Sequence, residues 1–348
     1  MTARLRVAEH FETQAKACEA LGSPFTARLC LHLAKTLSDD TQTGRRILNW
    51  PGDLRDDAVS LRLCGGLHHL VLTNADPDFA AVYPPKTVDD DQLAVALAKA
   101  LRRNDAVLHD FIGSPPQTNE VGRSGMLLPG FLLIAHETGL PLAINEIGAS
   151  AGLNQHFDRF YYRYGDVAWG NPDGPVHLAP DVRAMPPLTG DITVSSRAGC
   201  DIAPIDLADQ SARLRLQAYI WPDQALRLQR LRGALQIAAQ ENTDIEPLDA
   251  AAFVERQLAR RAFGSAFVLF HSIMWQYMPS ETQTKIGQLL TIAGASATKQ
   301  APIAWLRMEP IDTHASHATL SLTLWPGGET RTLAHCDYHG RWIEWTAK

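Results

Sequence analysis

The stretch INEIGASAGLN, residues 144–154, decides how the chain folds, and it holds two overlapping patterns. Gly148-Ala149-Ser150-Ala151-Gly152 fits G-x-S-x-G, the strained strand-to-helix turn that exposes a nucleophilic serine. Read from Glu146, the same residues are an acid, an apolar residue, Gly148 and small residues to Gly152, a loop whose bare backbone admits a nucleotide cofactor. Both patterns ask for a strand, a tight turn and a helix N-terminus. The surrounding sequence has to separate them.

Beyond about Pro141, short apolar runs alternate with helical periods, the signature of βαβ units and a mostly parallel sheet. Strands are expected at 142–147, 192–196, 245–248, 266–271 and 303–308. Helices are expected at 152–164, 214–239 with a break near Trp221-Pro222, 250–261 and 280–293. Residues 166–190, rich in Pro, Gly and Asp, read as an inserted loop. At the end, 319–325 and 330–335 flank Pro326-Gly327-Gly328-Glu329 as an antiparallel hairpin, and 341–345 adds a short strand.

Upstream, Val7, Phe11, Cys18 and Leu21 recur at helical spacing, as do Phe25, Leu29, Leu33 and Leu37 behind Ser23-Pro24. Leu93, Leu97, Leu101, Leu108 and Phe111 describe another helical face, and 126–136 an apolar helix. Residues 61–73, with paired Gly65-Gly66, fit strand or helix equally. The expected architecture is a mostly helical N-terminal cap or substrate domain over 1–125, then an α/β domain over 126–348 with a C-terminal antiparallel hairpin.

Composition narrows the partners. The 348 residues carry a formal net charge of -6, which argues against broad affinity for nucleic acid or anionic membrane and favours small molecules. Residues 1–16 lack the apolar core of a signal peptide, and no run approaches bilayer length, so a cytoplasmic protein is expected. Five scattered cysteines without a C-x-x-C pair read as buried or free thiols, with no metal site. The oligomeric state is not legible.

A serine nucleophile needs an acid and a histidine after Ser150, and its fold needs several strands before the nucleophile, where this chain offers mostly helices. The cofactor reading finds polar chemistry at successive strand ends. Asp201 follows the second strand and could take ribose hydroxyls; Asp249, with Ala250 behind it, could accept from an adenine amino group. His271, Ser272, Trp275 and Tyr277 emerge where a transferable group would lie.

On these residues the domain from about Pro141 resembles the class I S-adenosylmethionine-dependent methyltransferases. Glu146 to Gly152 stands where that family has its acid-x-Gly-x-Gly-x-Gly loop, with Ser150 in place of the middle glycine, and the terminal hairpin matches the antiparallel edge. The phrases EIGASAGLN, RAGCD, YIWPDQ, FHSIMWQY, LTLWPGGE and HGRW resemble a bacterial family of unknown function. The first resemblance implies a Rossmann-like sheet with S-adenosylmethionine as cofactor. Its contacts would be Glu146, Gly148, Ala149, Ser150, Gly152, Asn154, Asp201, Asp249, Ala250 and Ser272.

A second polar cluster precedes the domain. Asn119, Glu120 and Arg123 are candidates for orienting a substrate if their loop folds over the crevice, with Trp275 and Tyr277 as an aromatic wall. His271 or Glu120 would deprotonate the methyl acceptor. The expected function is methyl transfer to a small molecule. The alternatives are a nucleotide-binding regulatory module without turnover, and a serine hydrolase using Ser150.

Overall fold

A computed structural model describes residues 2–241, 244–312 and 314–347. By internal contacts the chain divides into two units. One comprises Met1–Thr118 with Asp209–Leu228, the other Asn119–Ala208 with Gln229–Lys348.

The first unit opens with α1 (Ala3–Ala20), α2 (Pro24–Thr36), α3 (Gln42–Leu48) and α4 (Val59–Leu72). It continues with α5 (Pro77–Ala80), α6 (Asp90–Arg103) and α7 (Asp105–Phe111). Val7, Phe11 and Cys18 of α1 and Leu29 and Leu33 of α2 are buried in one core, as their spacing requires. Gly22, at φ +80°, lets the chain turn between the two helices. A capping box opens α6: Asp89 accepts from the Gln92 amide while Gln92 accepts from that of Asp89. The ambiguous segment 61–73 belongs to α4, and the glycine pair explains itself there. Tyr219 presses on Gly65, and Leu108 and Phe111 on Gly66, where a Cβ would collide or crowd.

In the second unit, α8 (Ser124–Thr138) leads into β1 (Leu142–Ile147). After the glycine loop and a 3-10 turn at Leu153–Arg159 come β2 (Tyr161–Tyr164), β3 (Val167–Trp169), β4 (His177–Leu178), β5 (Asp181–Ala184) and β6 (Val194–Asp201). The chain then passes through α9 (Gln210–Ala218) in the first unit and α10 (Ala225–Glu241) to β7 (Ile245–Pro247), α11 (Ala250–Ala259), β8 (Ala266–Ser272) and α12 (Ser280–Ala295). It finishes with β9 (Ile303–Glu309), β10 (Ala318–Trp325), β11 (Glu329–Cys336) and β12 (Trp342–Trp345).

Nine strands form one mixed sheet in the order β5-β12-β11-β10-β9-β8-β1-β6-β7, and β3-β2-β4 form a small second sheet. From β7 to β9 all pairs are parallel. Numbered among themselves these five run 3-2-1-4-5, so strand order reverses between β1 and β8. On one face, α11 and α12 bury Phe253, Val254, Ile286 and Leu290 with Phe267, Leu269 and Ile303 of the sheet. On the other, Phe131 of α8 stacks on Phe157 at 3.9 Å and meets Phe270 edge-on at 5.2 Å.

Several expectations need correction. Residues 152–164 form a 3-10 turn and a strand rather than a helix, because Phe160, Tyr162 and Tyr164 all point inward with period two. The 166–190 insertion contains strands, and β5 extends the large sheet beside β12. The second strand spans Val194–Asp201 rather than 192–196, so Asp201 ends the strand. The terminal hairpin is as expected, β11 pairing antiparallel with β10, and β10 also pairs antiparallel with β9 to make a meander with no intervening helix among the described residues.

Candidate functional site

β1 delivers Glu146 to the carboxyl edge of the parallel strands, where strand order reverses and ligands bind in open α/β sheets. The following turn places Gly148, Ser150 and Gly152 at φ +63°, +55° and +69°. Gly148 is required twice: its φ is left-handed, and a Cβ there would lie 2.7 Å from Met274 Cε. Ser150 adopts that region despite its side chain, at a cost of about 1 kcal/mol. The Ala149 amide donates to the Cys200 carbonyl at 3.0 Å, and Ser150 accepts from the Ile205 amide at 3.1 Å, which sews the loop to the end of β6.

Gly199 of β6 lies beside Glu146, so the pleat puts Glu146 and Asp201 on one face. Asp201 accepts from the Ser150 amide at 2.8 Å and the Ala203 amide at 3.0 Å, one on each oxygen. Glu146 is 3% exposed, and its Oε2 is buried without a hydrogen-bond partner. Burial pushes its carboxyl up to about 8; the nearby Gln155 amide opposes the rise, Asp201 adds to it, and Arg123 opposes it. Ser150 Oγ is also buried without a partner, and the Gln155 amide lies beside the Glu146 carboxyl. Unpartnered atoms such as Glu146 Oε2 and Ser150 Oγ at one strand tip are unusual, since each costs about 1–3 kcal/mol when left unsatisfied.

The 119–124 loop docks on this edge. Asn119 Oδ1 accepts from the Leu153 amide at 2.8 Å, Ser124 Oγ donates to Asn154 Oδ1 at 2.7 Å, and Asn154 Nδ2 donates to the Glu120 carbonyl at 3.3 Å. Glu120 is buried, and its Oε1 caps the short turn at the Gly122 amide. Arg123 donates to the carbonyls of Ser272 and Tyr338, both at 3.1 Å. The turn that supplies Tyr338 is held by Asp337, which, although buried, has its carboxyl below the usual range because Arg341 and backbone amides donate to it.

At the end of β8 the arrangement differs from expectation. His271 is fully buried on the α11–α12 face, opposite in the pleat to Phe270, which pairs with Glu146. Trp305 Nε1 donates to its Nε2 at 3.1 Å, so the ring proton sits on Nδ1, 2.7 Å from Glu309 Oε1. Both nitrogens are occupied. Trp275 stacks on the ring at 4.9 Å and packs into the adjoining core, while Tyr277 is 77% exposed. Glu309 also receives the Met274 amide, and the preceding Ile273 is held at φ +52°, a strained position for a β-branched residue.

Asp249 caps α11, its Oδ1 accepting from the amides of Ala251 and Ala252 at 2.9 and 3.1 Å. The Leu248 amide donates to the Asp201 carbonyl at 3.1 Å, which ties the end of β7 to that of β6. The structure therefore brings the bonded residues Ser150, Gly152, Asn154, Asp201, Asn119, Glu120, Arg123 and Ser272 to the strand edge that carries Glu146. Asp249 with Ala250 stands at the neighbouring strand end, and His271, Trp275 and Tyr277 form a separate group. Gln155 and Glu309 were not anticipated. Gln155 directly follows Asn154, and Glu309 ends β9 much as Glu146 stands next to the end of β1, a positional signal available in the sequence.

All five cysteines are buried and free, and among the described residues no helix is long and apolar enough to cross a membrane. No curated protein and no solved structure gives a significant match to the chain. Residues 8–345 match the family described as an uncharacterized protein conserved in bacteria (DUF2332), and the chain belongs to that family.

Proposed function

We propose that the second unit is an S-adenosylmethionine-dependent methyltransferase of the class I type acting on a small molecule. The observation that carries this reading is Glu146, an almost fully buried carboxyl with an unpartnered oxygen at the tip of β1 beside a loop of three left-handed residues. A buried acceptor of this kind suits the ammonium of the cofactor's methionine part. The 3-2-1-4-5 order of the parallel strands and the antiparallel edge beyond them support the same reading. The β9–β10–β11 meander is a departure from the usual connecting helix.

Glu146 would accept from the ammonium, with the backbone of Gly148 to Gly152 alongside. Asp201 would take ribose hydroxyls on the lone pairs that its two backbone donors leave. Asp249 Oδ2, which the helix cap does not use, would take the adenine amino group beside Ala250. Bound there, the cofactor supplies an electrophilic methyl group for in-line displacement, so alignment of the acceptor matters most. Asn119 and Arg123 are anchored to orient it. With His271 on the opposite face of the sheet from Glu146, Glu120, on the loop that docks at the Glu146 edge, is the better-placed base.

The engagement of His271 also favours a second reading, a module that binds the cofactor without turnover. The hydrolase reading finds less support: Ser150 Oγ is buried and bonded to no histidine, and a fluorophosphonate probe is expected to leave it unlabelled. The deciding experiment is calorimetric titration with S-adenosylmethionine and its demethylated product. Saturable binding that weakens roughly tenfold or more in Glu146→Ala and Asp249→Ala is expected. Binding indifferent to both substitutions overturns the assignment, and binding without methyl transfer to any acceptor favours the module.

A further inference from the structure

A cavity of about 440 Å³ opens at the opposite, amino-terminal edge of the parallel strands, within the size range of small-molecule sites. It lies between the starts of β1, β6 and β8 and the end of α11. Its chemistry is one-sided. In a protein of net charge -6, the wall contains Arg260 and Arg261, the hydroxyls of Ser195, Ser196 and Ser265, and no acidic side chain.

Two features mark it as shaped. Leu142 pairs with Val194 but Ala143 with Ser196, so Ser195 is an extra residue in the β6 ladder. Neighbouring strand residues normally face opposite ways; this bulge allows both Ser195 and Ser196 to line the same cavity. The second feature is unspent donors. The hydroxyls of Ser195 and Ser196 and the Arg260 guanidinium make no hydrogen bond or ion pair with any described residue, whereas Arg261 is fixed by the carbonyls of Leu258 and Ala293 and by Ser296 Oγ. At the rim, Phe263 is 83% exposed, an apolar ring beside the cationic group.

We propose that this cavity binds a small phosphomonoester with a planar organic part. Two guanidinium charges match a phosphate dianion, and the hydroxyls add donors beyond what a carboxylate's two oxygens can use. The planar part lies against Phe263. The site is on the other edge of the sheet from Glu146 and is independent of the methyltransferase reading.

The test titrates the full chain with phenyl phosphate, inorganic phosphate and benzoate, followed by calorimetry and phosphorus NMR. Phenyl phosphate is expected to saturate at up to millimolar concentration and to bind more tightly than either other probe. Arg260→Gln, at an exposed position, should weaken it roughly tenfold or more with an unchanged melting temperature. Phe263→Ser should weaken phenyl phosphate and leave inorganic phosphate as it was. The proposal is overturned by absence of saturation, by benzoate binding as well as phenyl phosphate, or by Arg260→Gln or Phe263→Ser leaving phenyl phosphate affinity unaltered.

Discussion

Glu146 holds its proton to about pH 8 in the folded chain, against an ordinary value of 4.5, so between these limits the folded state binds a proton that the unfolded state does not. Its contribution to stability is complete below the ordinary value and is lost as pH rises toward about 8. Denaturant unfolding of the wild type should therefore lose stability on the order of a few kcal/mol across that window relative to Glu146→Gln, which has no proton to release. An ammonium seated on Oε2 would draw the proton off. Cofactor binding at pH 7 should then release a proton, seen as a calorimetric enthalpy that depends on the buffer's ionisation heat and ceases to do so in Glu146→Gln. An acid at the tip of the first strand was legible in the sequence; its isolation was not. That isolation arises from burial, with Asp201 adding to it and Gln155 and Arg123 opposing it, and no local pattern records any of these approaches.

At the scale of the element, the cap that Asp249 makes and the adenine contact proposed for it can be separated by substitution. Its Oδ1 caps α11, and Oδ2 is free to face a ligand. Asp249→Ala should lower stability by about 1 kcal/mol through loss of the cap. Asp249→Asn keeps a capping oxygen while exchanging the other acceptor for a donor. Its melting temperature should match the wild type, with S-adenosylmethionine affinity reduced roughly tenfold in calorimetry. Equal affinity in the Asn variant would remove Asp249 from the adenine contact. The strands β1, β8 and β9 agree with their apolar runs because they are buried on both sides and need no alternation to be recognised. The run Phe160, Tyr162, Tyr164 was hidden by the glycine loop before it, which made a helix start the expected continuation. The docking of Asn119 and Glu120 onto Leu153 and Asn154 is a long-range pairing with no local trace.

For the molecule as a whole, the helical unit is not contiguous in sequence. Arg215 donates to the carbonyl of Phe111 at 2.8 Å, His68 lies 3.2 Å from the Ala218 carbonyl, and Tyr219 packs against Gly65 and Phe111. Tyr219→Ala should cost about 3 kcal/mol in denaturant unfolding, although the ring is far along the chain from most of what it touches. The membership in DUF2332 was anticipated by phrases such as EIGASAGLN and FHSIMWQY; the return of 209–228 to the first unit was not, since its helical period is the same whichever unit it joins.

That return has a consequence during synthesis. The opening helices leave the ribosome with Gly65 lacking its Tyr219 cover, and β1 to β6 must be translated before that ring emerges to supply it. A stall anywhere after Thr118 and before Leu228 leaves an incomplete helical core exposed to holdases and proteases, so nascent-chain folding of this unit should lag its own translation.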